Sequence, residues 1–115
     1  MPIPLTDLIF EIDVQGVQAL RDANTAFLLL DCREPSEYET AKIAGSVLIP
    51  MREIPQRLAE LESHRQGRIV VHCHHGGRSA RVTEFLRSHG FVGAQNMSGG
   101  IDAWSQLVDQ NVPRY

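Results

Sequence analysis

The run His72-Cys73-His74-His75-Gly76-Gly77-Arg78-Ser79 puts a nucleophile, three imidazoles, two glycines and a guanidinium within eight residues. Cysteine is the member of this set best suited to covalent chemistry, and only its thiolate attacks. A free thiol titrates at about 8.5 and is a few per cent ionised at pH 7, so it needs activation. The pattern offers that activation in three forms. A cysteine at a strand end, followed by a short Gly-rich loop and a helix, can have its sulfur cradled by backbone N–H groups. The helix N-terminus adds partial positive charge, and Arg78 adds a full one. Gly76 and Gly77 tolerate the positive φ values that converging N–H groups require. A fall of about two units, worth about 2.7 kcal/mol, would make the group mostly thiolate. The competing reading is an inert core cysteine, a common fate of this residue. A core position is not ordinarily followed by His-His-Gly-Gly-Arg.

Cysteine and histidine together also raise metal binding. Four consecutive potential ligands, His72 to His75, cannot all face one tetrahedral ion, and no second cluster has zinc-like spacing, with Cys32 and His64 the spare candidates. No metal and no cofactor are expected.

The elements that position this run follow from hydrophobic periodicity. Ile69 to His72 reads as a strand leading directly into the Gly-containing loop. Phe27 to Leu30 is a continuous apolar run, as in a strand buried on both faces. Leu8 to Ile12 is a candidate first strand, followed by Asp13 as N-cap of a helix carrying Val14, Val17 and Leu20. Ser46 to Ile49 is a further strand, ended by Pro50. Ile54, Leu58 and Leu61 mark one face of a helix. Val82, Phe85 and Leu86 mark another, closed by Gly90. A weak strand at Ala94 to Met97 and a helix through Ile101, Trp104 and Leu107 complete the chain, with Trp104 packed in the core. Strands alternating with helices indicate an α/β domain with a mainly parallel sheet. Ligands of such sheets sit beyond the carboxyl ends of the strands, which points to the residues after Leu30 and Val71.

Composition sets outer bounds. The chain has 115 residues, 43% hydrophobic and 22% charged, an average globular mix that fits one domain over residues 1–115. A net charge of -3 argues against a general nucleic-acid binder. No apolar run approaches the roughly 20 residues of a membrane span, and the start does not read as a signal peptide, so a cytoplasmic location is expected. Two cysteines without a C-x-x-C are too few for a disulfide scaffold.

Three segments together resemble the rhodanese family, the sulfurtransferases that carry sulfur as a cysteine persulfide. They are Leu30-Asp31-Cys32-Arg33-Glu34-Pro35-Ser36-Glu37-Tyr38, then Val70 to Ser79, then Asn96-Met97-Ser98-Gly99-Gly100-Ile101-Asp102-Ala103-Trp104. The likeness spans nearly the whole chain in the family's order. It implies a rhodanese-like three-layer sandwich, with a five-stranded mainly parallel sheet and helices on both faces. It also implies that Cys73 is the persulfide-forming nucleophile, and that backbone N–H groups from His74 through Ser79 hold the sulfane sulfur. Cys73 to Arg78 is a six-residue loop. Related phosphatases and arsenate reductases use one residue more, which leaves room for a tetrahedral oxyanion. The shorter loop resembles the sulfurtransferase version.

There are departures. Ala41-Lys42-Ile43-Ala44-Gly45-Ser46 stands where relatives often have Gly-His-Ile-Pro-Gly-Ala, and His74 and His75 stand where thiosulfate-preferring relatives often have Arg or Lys. Neutral histidines attract a dianion weakly. Cys32 replaces a family valine, and reads as a buried hydrophobe or, alternatively, a resolving thiol.

The expected activity is a thiosulfate sulfurtransferase type of reaction. Cys73 takes sulfur from thiosulfate or another persulfide donor and passes it to a thiol or to cyanide. Arg78 stabilises negative charge, and His74, His75, Gly76, Gly77, Ser79 and Arg33 contact the donor. Ser79 itself reads first as a cap of the following helix and alternatively as a donor to the sulfur. Asp31 supports the site, most simply as an ion-pair partner. The alternative is a sulfur carrier or docking module that serves a sulfur-acceptor protein with little turnover on small molecules.

Overall fold

The computed structural model describes residues 4–115. Five strands form one sheet: β1 (Glu11–Ile12), β2 (Leu28–Asp31), β3 (Val47–Leu48), β4 (Ile69–His72) and β5 (Ala94–Met97). Their order is β1-β5-β4-β2-β3, and every pairing is parallel. The helices are α1 (Val14–Asp22), α2 (Pro35–Thr40), α3 (Gly77–Ser88) and α4 (Gly100–Leu107).

β4 is the centre, buried at every position between β2 and β5. Alternate side chains of a strand face opposite ways, so the two apolar runs build two cores. Leu30, Ile69 and Val71 face Val82, Leu86 and Phe91, whereas Leu29 and Val70 face Val17, Ile101 and Trp104. Helices therefore cover both faces, as the alternating pattern requires. Asp13 caps α1 through its side chain, which accepts from the Gly16 amide at 2.7 Å. Gly90 lies just beyond the end of α3.

Three expectations need correction. Residues 51–64 bury Ile54 and Leu61 as anticipated, yet they form 3-10 turns at Met51–Glu53 and Leu58–His64 joined by turns. The reason is Pro55, which has no N–H to give the Met51 carbonyl, so the turn closes with Ile54 N–H on that oxygen instead. The first strand is only Glu11–Ile12, because only two residues find β5 as partner. Leu107 ends α4 at 62% exposure and takes no part in the core.

The register sets β2 beside β4, pairing Asp31 with His72, and the Cys32 amide donates to the His72 carbonyl at 3.1 Å. The two cysteines thus emerge side by side at the carboxyl ends of adjacent strands.

His72 carries a structural liability. It is completely buried, and neither ring nitrogen has a hydrogen-bond partner. Burial pushes its pKa down, with the Asp31 charge opposing. The unfolded chain binds this proton at about pH 6.5 and the folded chain only at lower pH, so stability is lost as pH falls below about 6.5. His72→Leu should remove that component and raise stability at neutral pH by about 1 kcal/mol, since it replaces unpaired polar atoms. Urea unfolding of both proteins from about pH 5 to about pH 8 checks this. Parallel pH profiles would contradict it.

Candidate active site

The Cys73 sulfur, 1% exposed, accepts the Gly76 amide at 3.1 Å and the Ser79 amide at 3.4 Å, with the Ser79 hydroxyl 3.3 Å away. Gly76 makes the turn possible at φ +120°, a backbone conformation costly for side chains with a Cβ. α3 starts at Gly77, so its first turn delivers the Ser79 amide to the sulfur. Ser79 is therefore inside the helix and does not cap it.

The loop is held from outside by α4. Ile101 and Asp102 donate their amides to the carbonyls of Cys73 and His74 at 2.9 and 3.1 Å. Because trans peptides set N–H opposite C=O, this turns the amides of His74 and His75 away from α4. The approach is so close that a Cβ on Gly100 would lie 2.4 Å from the His74 oxygen. From β5, the Asn96 amide donates to the Gly76 carbonyl at 3.2 Å and to both oxygens of Glu11.

The Cys73 thiol is pushed down to about 4, first by hydrogen-bonding support from the adjacent Cys32 thiol. Burial opposes this, while the Ser79 hydroxyl and the Ser79 and Gly76 amides add to it. Cys32 moves the other way and stays a thiol, because it is coupled to Cys73 and buried, with its Sγ 3.5 Å from the His72 carbonyl. With its pKa held at about 4, Cys73 favours the thiolate at neutral pH.

The arginines have firm partners. Arg78 grips Glu37 through both terminal nitrogens, at 2.6 and 2.9 Å, and acts on Cys73 only through its field. Glu37 is held down to about 2, mainly by that contact. Arg33 is fully buried, with Asp31 at 2.7 Å, the Ala41 carbonyl at 2.7 Å and the Tyr115 hydroxyl at 2.8 Å. This corrects the expectation that Arg33 contacts the donor, since its nitrogens are turned inward and occupied. Asp31 takes the ion-pair role. Tyr115 also donates to Glu37 at 2.8 Å and stacks on His74 with ring centres 4.0 Å apart. His74 is half-buried under that ring, while His75 and Gly77 are exposed.

Glu37, Asn96, Gly100 and Tyr115 were missed as site residues. The first three lie within the segments that carry the family resemblance, where their type and position were a usable signal. Nothing local marks Tyr115.

A sulfur cradle of this shape after the fourth strand of a parallel sheet agrees with what comparison finds. The sequence profile of the Rhodanese-like domain matches residues 13–107. The chain belongs to the rhodanese-like domain family. It is 37% identical over 91 residues to the Rhodanese-like/PpiC domain-containing protein 12, chloroplastic, of Arabidopsis thaliana, covering 76% of this chain and 30% of that one. A sulfurtransferase of Allochromatium vinosum is 33% identical over 100 residues, covering 86% of this chain and 91% of the other. The Staphylococcus aureus rhodanese-like domain protein superposes with a TM-score of 0.79 at 26% identity, covering 93% and 99% of the two chains. The chain spans under a third of the length of the first curated relatives it matches. Among the described residues, no helix is long and apolar enough to cross a membrane.

For this rhodanese-like cradle, the alkylation rate of Cys73 by iodoacetamide should be flat from about pH 6 to about pH 9, since the thiolate is already formed. Cys32→Ala removes the neighbouring thiol that favours the thiolate and should raise the midpoint by about one unit, equivalent to about 1.4 kcal/mol. A wild-type midpoint near about 8.5 would contradict an activated cysteine.

Proposed function

We propose that this protein is a sulfurtransferase that carries sulfane sulfur as a persulfide on Cys73. The supporting observation is the Cys73 sulfur, which accepts the Gly76 and Ser79 amides at the start of a six-residue loop, contacts that help hold its pKa down to about 4. The similarity to a protein named sulfurtransferase, over 91% of that protein's length, supports the same reading.

The Cys73 thiolate attacks the outer sulfur of thiosulfate or of a persulfide. The donor's S–S bond breaks, and sulfite or a thiolate leaves with the electron pair. Cys73 is left as a persulfide whose outer sulfur meets the loop amides. A thiol or cyanide then attacks that outer sulfur, and the Cys73 thiolate is restored. In each half, negative charge moves by one sulfur between fixed N–H dipoles that need no reorganisation. The exposed His75 and Gly77 flank the approach, and Arg78 contributes a field held steady by Glu37.

Incubation with a sulfur donor should add one sulfur atom to the protein, located on the Cys73 peptide by mass spectrometry. Cys73→Ser should not load, because a hydroxyl is not ionised near neutral pH. Cyanide should unload the wild type over repeated cycles. Loading followed by no turnover would instead favour a carrier that releases sulfur only to a partner protein. Cys73-dependent hydrolysis of an aryl phosphate at an enzyme-like rate would favour a phosphatase.

A further inference from the structure

Each arginine beside the loop from His74 to Arg78 already has a carboxylate partner. Arg78 is on Glu37 at 2.6 Å, Arg33 on Asp31 at 2.7 Å, and Arg114 on Asp102 at 3.0 Å. The three pairs cancel. What remains near the sulfur is the pair of imidazoles, of which His75 has Asp102 at 3.9 Å. Arg81 has no carboxylate partner among the described residues, but it lines a groove with Met51, Ile54 and Phe85 and lies outside the loop.

The strongest of these clamps is the one closest to the chemistry. Arg78 ends the loop and would be the nearest full positive charge to an incoming donor. Glu37 takes both of its terminal nitrogens. Glu37 is itself fixed, because its Oε1 accepts the Glu34 amide at 3.0 Å in the capping box of α2, and its Oε2 accepts the Tyr115 hydroxyl at 2.8 Å.

We propose that Glu37 is a specificity-determining residue: by clamping Arg78 it withholds positive charge from the donor, and so turns the site from dianionic thiosulfate toward persulfides of low net charge. The proposal rests on the sulfurtransferase reading and names the donor class for it. With thiosulfate, a monoanionic nucleophile meets a dianion, and sulfite departs with both electrons of the broken S–S bond while Cys73 keeps the outer sulfur as Cys–S–S⁻. With a persulfide R–S–SH, the same attack forms Cys73–S–SH and releases RS⁻, and the donor brings little charge to be neutralised. A site whose arginines are all paired penalises the first reaction far more than the second.

Initial-rate loading of Cys73, followed by mass spectrometry with thiosulfate and with cysteine persulfide, tests this in the wild type and in Glu37→Gln. Glutamine keeps an acceptor for the Glu34 amide and removes the charge that holds Arg78. The wild type should show a kcat/KM about tenfold or more higher for cysteine persulfide. Glu37→Gln should raise kcat/KM for thiosulfate about fivefold through a lower KM, with the gain fading as salt rises, and change the persulfide value by less than about twofold. Arg81→Gln should leave the thiosulfate KM as it was. Wild-type preference for thiosulfate, an unchanged thiosulfate KM in a folded Glu37→Gln, or a KM that instead tracks Arg81 would each overturn the proposal. If Glu37→Gln does not fold, as judged by thermal melting, the wild-type donor preference decides. If neither donor loads Cys73, the sulfurtransferase reading itself fails.

Discussion

A thiolate at Cys73, where almost no water reaches, would have to be solvated by the protein, and the arrangement around the end of β4 meets that requirement. Isolated buried charge costs several kcal/mol, so the site works only if fixed donors replace the lost water. Backbone amides supply this without mobile side chains. Gly76 turns the chain so that its own amide and that of Ser79 reach one atom. α4 pins the opposite side of the same peptides by taking the carbonyls of Cys73 and His74. The absent side chain of Gly100 permits that contact. Sheet, turn and helix are thus mutually dependent, and none of the three positions the sulfur alone.

Behind the loop, a chain of ionic and hydrogen-bonded groups runs from Asp31 through Arg33, Tyr115 and Glu37 to Arg78. Its buried end would be a liability if any donor were unpaired. Arg33 avoids this, because Asp31, Tyr115 and the Ala41 carbonyl occupy its nitrogens, and the Arg33 amide also donates to Asp31 at 3.0 Å. A buried pair of this kind contributes more to unique geometry than to net stability. Its effect here is to hold the outer end of the chain, at the loop, in one arrangement.

Much of this was legible in the sequence for reasons that can be stated. Cys73 stands out as the candidate nucleophile because strand, cysteine, glycine loop and helix are contiguous. β4 and β5 were placed at their observed bounds, and the two central strands read well because burial on both faces gives unbroken apolar runs. The segment around Ile54 misled because its apolar spacing suits a helix, while Pro55 denies that helix a donor. Arg33 misled because an arginine near a strand end reads equally as an anion ligand or as half of a buried pair, and only the third dimension shows its carboxylate. Tyr115 was invisible, since its partners Arg33 and Glu37 lie about eighty residues away in sequence. A separation of 41 residues likewise hides the clamp of Glu37 on Arg78, whose motif promises a free cation.

The shortness of β1 and β3 has a consequence for life in a crowded solution. These are the two outer strands of the sheet, and each has only two residues. Unpaired strand edges recruit other chains by backbone hydrogen bonding, and the hazard grows with the length of the exposed rail. Here Asp13 diverts one rail into a helix cap, and Pro50 closes the other just beyond Leu48. A fully parallel sheet with an apolar centre thereby offers little unpaired edge at its sides on which intermolecular sheet growth could start.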